Sequence, residues 1–238
     1  MKSTLRRALA TVWLAALALA APASAQPTEP APRDAPGWKA RHAELVKQAP
    51  AAGGAVVFLG DSITEGWRHA GAAVWKERLA GLGAANFGIG GDCTQHVLWR
   101  LRDGEIDPAH APRAVVLLIG VNNARSDAAP AIVSGVAAVL AEVEARAPAA
   151  KVLLLGIFPC RELPGDPMRE KVRAVNAGIA KLADGGRVRF LDFGQRLVEP
   201  DGTISRATMP DFLHLTEKGY AIWADAIAGP LAEMLRAP

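Results

Sequence analysis

Three runs made almost entirely of large apolar side chains constrain the fold of this 238-residue chain most strongly. They read AVVFL at 55–59, AVVLLI at 114–119 and VLLLGI at 152–157. Strands that are covered by helices on both faces have this continuous pattern, whereas strands with one face in water alternate apolar and polar residues. The runs therefore predict a parallel sheet with helices on both sides.

Shorter patterns supply the other elements of such a fold. Residues 84–87 and 188–191 can form two more strands, and residues 38–48 and 94–101 read as helices. Asp127 is expected to cap a helix whose apolar stripe repeats at helical spacing, through Ile132, Val133, Val136, Val139, Leu140 and Val143. A last helix follows Thr216. The alternation predicts a three-layer αβα fold of the α/β class, with ligands bound beyond the carboxyl ends of the strands.

The N-terminus predicts export. Three basic residues precede the 13-residue apolar run at 8–20, which is followed by the small residues Ala23, Ser24 and Ala25. This is the pattern of a signal peptide over residues 1–25, cleaved near Ala25, and the run is shorter than the ~20 residues that span a bilayer. We expect a periplasmic or secreted protein in which proline-rich residues 26–36 are a flexible lead-in and residues 37–238 form one domain.

The charge balance limits the partners. The whole chain has 27 basic and 24 acidic side chains, but the leader contributes three of the basic ones, so the mature protein carries 24 of each. A balanced surface gives no reason to expect binding to nucleic acid or to anionic membranes. We therefore expect no nucleic-acid partner, and the shortness of the apolar run argues against stable insertion into a membrane. A small-molecule or glycan partner is what the motifs described below imply.

A serine follows the first predicted strand, in the sequence Gly60-Asp61-Ser62. At the start of a helix its backbone N–H is free, and its hydroxyl lies at the edge of the sheet where ligands bind. The same position also suits a helix N-cap, so the tripeptide alone decides nothing.

Asp211 and His214 precede the last helix. Three residues apart on a helical turn, the carboxylate can orient the imidazole, which can act as the base for a serine hydroxyl. The other histidines receive no role: we expect His42, His69 and His110 on solvated surfaces and His96 on a helix face.

Two further loops follow predicted strands. Residues 88–91 read GIGG, so the backbone can approach a ligand and present N–H groups to an anion, and Asn122 offers an amide donor. A tight turn and an Asx turn are the alternatives for these loops. The N–H groups of Ser62 and Gly91 and the amide of Asn122 are three candidate donors to an oxyanion. Asp61 and Asp92 are expected to order the loops rather than to catalyse.

Taken together, GDS at 60–62, NFGIGGD at 86–92, GVNN at 120–123 and DFLH at 211–214 resemble the four ordered blocks of the SGNH (GDSL-like) hydrolases. Residues 86–101 and 211–220 are especially similar to the catalytic subunits of platelet-activating-factor acetylhydrolase Ib and their bacterial relatives. The resemblance implies a flavodoxin-like five-stranded sheet of order 2-1-3-4-5, ester hydrolysis without metal or cofactor, and an oxyanion hole of Ser, Gly and Asn. Homodimerisation is implied by analogy alone.

Two departures from that family stand out. Asn123 replaces the aspartate of many SGNH enzymes, and Cys93 replaces a small hydroxyl residue beside the oxyanion loop. In the implied strand order, Cys93 and Cys160 follow strands that are three spacings apart, roughly 14 Å at ~4.8 Å each. A disulfide needs Cα atoms within about 7 Å, so both thiols are predicted to be free.

The residues beside the catalytic groups bear on the substrate. Ile63, Val121 and Leu213 are bulky, and if they line the acyl side they leave a short pocket that favours acetyl esters. A thioesterase or lysophospholipase acting on longer acyl groups is one alternative, and a non-catalytic glycan-binding domain of the same fold is another. The alcohol half of the substrate stays open between a glycan and a phospholipid analogue.

Overall fold

A parallel sheet lies at the centre of the computed structural model, which describes residues 25–236. Its five strands in this part of the chain are β1 (Val56–Gly60), β2 (Ala84–Gly88), β3 (Ala114–Leu118), β4 (Lys151–Leu155) and β5 (Val188–Leu191). They are arranged in the order β2-β1-β3-β4-β5, and every neighbouring pair is parallel. The predicted α/β class and strand order are confirmed. The predicted signal peptide lies outside the described residues except for Ala25.

Helices cover both faces of the sheet. Between residues 25 and 236 the α-helices are α1 (Pro36–Gln48), α2 (Ser62–Glu65), α3 (Ala72–Arg78), α4 (Thr94–Arg100), α5 (Ala129–Arg146), α6 (Pro167–Ile179) and α7 (Glu217–Arg236). The chain leaves β1 towards β2 and then returns past β1 to β3, so right-handed crossovers put the helices on opposite faces. Accordingly α3 packs against α7, and α5 packs against α4 and α6. None of these helices is long and apolar enough to cross a bilayer.

The apolar runs become the core. All five residues of β1 and all five of β3 are buried. On one face an aromatic cluster joins the sheet to α7: Phe58 of β1 packs against Trp67, and Trp67 lies 4.5 Å from Tyr220 between ring centroids. The Tyr220 hydroxyl donates a 2.8 Å hydrogen bond to the carbonyl of Ile63. The last helix is thereby tied to the residue that follows Ser62.

The start of α5 differs from the prediction. Asp127 does not cap the helix, which begins at Ala129 after Ala128 and has no side-chain cap. Asp127 accepts a 2.9 Å hydrogen bond from the Asn123 amide instead. Pro130 explains the later start, because its fixed φ suits the first helical turn.

Residues 25–35, which we term the N-terminal strap, pack against the domain rather than forming the flexible lead-in that their composition indicates. Ala31 N–H donates to the carbonyl of Gln95 at 3.1 Å. The Thr94 hydroxyl donates to the carbonyl of Pro27 at 2.8 Å. The composition was misleading because these bonds use backbone groups of the strap, which every residue type provides.

His42 is buried, so its predicted place on the surface is wrong. Its ring nitrogens lie 2.8 Å from a carboxylate oxygen of Glu105 and 2.8 Å from one of Asp103, and its ring stacks on Trp38. Burial lowers the pKa of His42, but the two carboxylates outweigh burial and raise it above its usual value. His69 and His110 are exposed as expected.

Candidate active site

Ser62 is the first residue of α2, directly beyond the carboxyl end of β1. The Asp61 carboxylate caps this short helix by accepting the N–H of Ile63 at 3.0 Å. The N–H of Ser62 finds no acceptor among the described residues. The serine therefore has a free N–H and a partly exposed side chain at the edge of the sheet where ligands bind.

Three side chains form a hydrogen-bonded chain at this edge. His214 Nε2 lies 3.0 Å from the Ser62 hydroxyl, and His214 Nδ1 lies 2.6 Å from a carboxylate oxygen of Asp211. Both distances are within hydrogen-bonding range, and the two ring nitrogens face different partners. The imidazole can therefore accept a proton from the hydroxyl while the carboxylate fixes its tautomer.

The turn that holds Asp211 and His214 together is not the helical turn that their spacing predicted. Phe212 has a left-handed backbone with φ 60°, and the other oxygen of Asp211 accepts the N–H groups of Leu213 at 3.1 Å and His214 at 2.8 Å. Burial raises the pKa of Asp211, but these bonds and the imidazole more than offset it, so the pKa is lowered. The carboxylate is thus anionic at neutral pH.

The loops after β2 and β3 bring one further donor each, Gly91 and Asn122, to this edge of the sheet. Gly91 has φ +78°, a conformation that favours glycine, and its N–H has no acceptor within the described chain. The Asn122 amide donates to the carbonyl of Asp92 at 2.9 Å, which leaves its second N–H for another acceptor. Glu65 steadies the loop by accepting the N–H of Gly90 at 2.8 Å.

A buried ion pair, which the sequence reasoning missed, underlies this loop. Arg100 of α4 and Asp92 both have fully buried side chains, 2.8 Å apart from Nε to Oδ2. The Arg100 guanidinium also donates to the carbonyls of Phe87 and Gly60, each at 3.1 Å, and so connects the carboxyl ends of β2 and β1. The sequence did contain a sign of this ion pair, because Arg100 is a single cation among the apolar residues Val97, Leu98 and Leu101.

Burial raises the pKa of Asp61 and of Asp92, the two aspartates of these loops. It raises the pKa of Asp92 to about 6, with Arg100 and the Trp38 indole N–H opposing it. It raises the pKa of Asp61 to about 7, with the capped Ile63 N–H opposing it. Both carboxylates bind loop backbone or neighbouring side chains, in agreement with the expected ordering role.

A cavity of about 250 Å³ opens beside His214. Val121 and Leu213 line it, together with Asn122, Arg125, Cys160, Arg161, Met168, Asp211 and Phe212. Ile63, the third residue expected in the pocket, is 1% exposed and packs in the core instead, because α2 turns its side chain beneath the site. Cys93 and Cys160 are free thiols, as predicted.

Comparison with known proteins bears on this arrangement. The model of the GDSL-like Lipase/Acylhydrolase family matches residues 58–222. Platelet-activating factor acetylhydrolase IB subunit alpha1 of Bos taurus is 39% identical over 199 residues, covering 83% of this chain and 84% of that protein. Subunit alpha2 of Rattus norvegicus is 37% identical over 202 residues, covering 83% of each.

The chain belongs to the GDSL-like lipase/acylhydrolase family. As a member of that family with acetylhydrolase relatives, it is a carboxylic ester hydrolase. Solved structures share its fold: a GDSL-like lipase from Bacteroides thetaiotaomicron superposes with a TM-score of 0.68 at 23% identity, covering 82% of this chain and 97% of the other. An acetylxylan esterase from Geobacillus stearothermophilus superposes with a TM-score of 0.59 at 19% identity, covering 78% and 95%.

Proposed function

We propose that this GDSL-like hydrolase is an exported serine esterase that cleaves short-chain esters, acetyl esters above all, through an acyl-enzyme intermediate. Ser62 is the nucleophile, His214 the general base and Asp211 the residue that orients the base. The observation that carries the proposal is the unbroken chain of hydrogen bonds from the serine hydroxyl through the imidazole to the carboxylate, at 3.0 and 2.6 Å.

The chemistry follows from the ordinary weakness of a serine hydroxyl as a nucleophile. His214 takes the hydroxyl proton as the oxygen attacks the ester carbonyl, and it returns the proton to the departing alcohol. Water then attacks the acyl-serine with the same base. Asp211 stabilises the imidazolium in both steps.

The tetrahedral intermediates carry a negative oxygen that needs donors. The N–H groups of Ser62 and Gly91, neither of which has an acceptor in the described chain, and the spare amide N–H of Asn122 are assigned to it. Donors fixed in advance stabilise such an oxyanion strongly, each typically by about 2.7 to 4 kcal/mol.

The preference for acetyl rests on the size of the space beside the base. The cavity holds about 250 Å³, and Val121 and Leu213 occupy its wall. Relatives at 37–39% identity are named acetylhydrolases, which agrees with a small acyl group. The cavity volume lies below the ~300 to 1,000 Å³ of typical ligand pockets, and the polar residues Asn122 and Asp211 also line it, so its wall suits a short acyl group better than a long apolar chain.

Hydrolysis of p-nitrophenyl esters with two and eight acyl carbons tests the proposal. We expect the wild type to favour acetyl over octanoyl esters by at least about tenfold in kcat/KM and the Ser62→Ala variant to be inactive on both. Preference for octanoate would point to the thioesterase or lysophospholipase alternative. Absence of turnover, with acetylated sugars still bound, would point to a glycan-binding domain.

A panel of acetylated sugars and acetylated phospholipids, hydrolysed by the wild type and by Ser62→Ala, identifies the alcohol half of the substrate.

Export is tested separately, by fractionating cells that express the full chain. A mature N-terminus near Gln26 in the periplasm or medium is expected, because residues 1–25 have the pattern of a cleavable leader. An uncleaved protein in the cytoplasm would contradict export, but it would leave the esterase proposal unchanged.

A further inference from the structure

The peptide unit between Gly90 and Gly91 carries one of the assigned oxyanion donors, the N–H of Gly91. It lies beside the nucleophile, since a Cβ at Gly90 would be 3.7 Å from the Cβ of Ser62. Both flanking residues are glycines, so no side chain opposes rotation of the peptide plane, and a rotated plane would turn the N–H away from the site. An oxyanion donor has to be fixed in advance, which requires a contact from outside these two residues.

Arg33 of the N-terminal strap makes that contact. Its Nη1 donates to the carbonyl of Gly90 at 2.5 Å, and this is the only hydrogen bond of the peptide unit within residues 25–236. The guanidinium also lies over Gly91, because a Cβ at that glycine would come within 2.9 Å of Nη1. The carbonyl and the N–H of a trans peptide point in opposite directions, so a bond that holds the carbonyl also sets the direction of the N–H.

Arg33 is itself held on both sides along the chain. Before it, the N–H of Ala31 donates to the carbonyl of Gln95 at 3.1 Å. After it, the Trp38 indole N–H donates to a carboxylate oxygen of Asp92 at 2.7 Å, and Arg33 Nη1 lies 3.7 Å from the same oxygen. The Arg33 side chain is 32% exposed. The strap therefore places this cation on the loop after β2 rather than in open solvent.

The loop has one anchor on each of two successive peptide units. Glu65 accepts the N–H of Gly90 at 2.8 Å and so holds the first, whereas the next one depends on Arg33. A hydrogen bond from a guanidinium is charge-assisted, and a carbonyl polarised in this way makes the N–H of the same peptide a stronger donor. The contact thus favours both the direction and the strength of the Gly91 N–H.

We propose that Arg33 is a positioning residue, which holds the Gly90–Gly91 peptide so that the Gly91 N–H is directed at the oxyanion. This inference rests on the proposed esterase function and on the place of Gly91 in it. Arg33 acts through the peptide and does not touch the reacting atoms. The N-terminal strap is then a support of the oxyanion hole, in addition to being packed on the domain.

Kinetics of Arg33→Met tests the proposal, because methionine keeps an unbranched stem and removes the donors. We expect kcat on p-nitrophenyl acetate to fall by about tenfold or more, with KM within about threefold of wild type. The loss should be smaller than the ~10² to 10³ for a donor removed outright, since the freed peptide still visits the productive orientation. Arg33→Lys, whose ammonium can donate to the carbonyl, should have a kcat several-fold above that of Arg33→Met.

Arg41→Met is the matched control. Arg41 also donates from a guanidinium to a backbone carbonyl near the site, that of Asn86 at 3.0 Å, but the peptide it binds lies within β2 and carries no assigned oxyanion donor. Its kcat should stay within about twofold of wild type. A kcat of Arg33→Met within about twofold of wild type, or an equal fall in Arg41→Met, would overturn the proposal.

A measurement without substrate separates this inference from the esterase proposal. The HN–Hα couplings of Gly91 report its φ, and ¹⁵N relaxation dispersion reports its exchange between conformations. We expect one conformation with φ near +78° in the wild type and in Arg41→Met, and exchange in Arg33→Met. Exchange of this kind in a protein inactive on all esters would support the hold of Arg33 on the peptide and reject the esterase. Gly91 signals without exchange and with unchanged couplings in Arg33→Met would reject the positioning role alone.

Discussion

The Nε of Arg100 lies 2.8 Å from a carboxylate oxygen of Asp92, and both side chains are fully buried. Asp92 also accepts the Trp38 indole N–H at 2.7 Å, and its carbonyl accepts the Asn122 amide at 2.9 Å. One buried pair is thus connected to α1, to the loop after β2 and to an assigned oxyanion donor. We therefore expect the position of the loop after β2, which carries Gly91, to depend on this contact.

Replacement of Arg100 should be costly for stability. Arg100→Gln removes the buried guanidinium that lies between the carboxylates of Asp92 and Glu105, so we expect the free energy of unfolding to fall by about 3 to 5 kcal/mol. Denaturant unfolding measures the change. The matched control is Arg102→Gln, whose 2.9 Å pair with Glu142 is exposed on the arginine side and should contribute about 1 kcal/mol or less. Equal losses in the two variants would contradict the account.

His42 should make stability depend on pH. Its pKa is raised in the folded protein, so its protonated form stabilises the fold fully below the unfolded value near 6.5, and that contribution is lost as the pH rises through the folded pKa. The difference in unfolding free energy between wild type and His42→Gln should therefore be larger at about pH 5.5 than at about pH 8.5. Asp61 and Asp92 also change protonation with pH, but both proteins contain them, so their contributions largely cancel in the difference between the two unfolding free energies. A difference that grows with pH would refute this reading of His42.

Asn122 should matter for rate more than for folding. Asn122→Ala removes an assigned oxyanion donor, so kcat on p-nitrophenyl acetate should fall by about 10² to 10³. The variant also loses the bond to the Asp92 carbonyl, for which about 1 kcal/mol of stability is expected. Steady-state kinetics at saturating substrate, with denaturant unfolding beside it, separates the effects. A kcat within about threefold of wild type would exclude Asn122 from the oxyanion hole.

Much of the fold could be predicted because its core strands are buried on both faces. Such strands need apolar side chains at successive positions, and the sequence shows this as continuous apolar runs. The runs at 55–59 and 114–119 differ from β1 and β3 by at most one residue at either end. The Asp211 to His214 spacing also identified a pair that does meet in space. Its local geometry could not be predicted, because Phe212 is held left-handed by contacts with Arg161 and with the loop before α7.

The missed features depend on distant contacts. The N-terminal strap is fixed by side chains 67 and 70 positions away, which donate hydrogen bonds to its carbonyls, and composition does not encode such contacts. His42 is buried because Glu105 and Asp103, far along the chain, supply its partners. Ile63 was expected in the pocket from its place beside Ser62, but a helix start sends adjacent side chains in different directions, and this one enters the core.

The central claim is that Ser62 becomes acylated. Rapid quenching of the wild type with p-nitrophenyl acetate, followed by peptide mass spectrometry, tests it most directly. The account predicts one added acetyl group on the peptide that contains Ser62 and none in Ser62→Ala. Turnover that proceeds undiminished in Ser62→Ala, or an acetyl group found on another residue of the wild type and required for turnover, would contradict it.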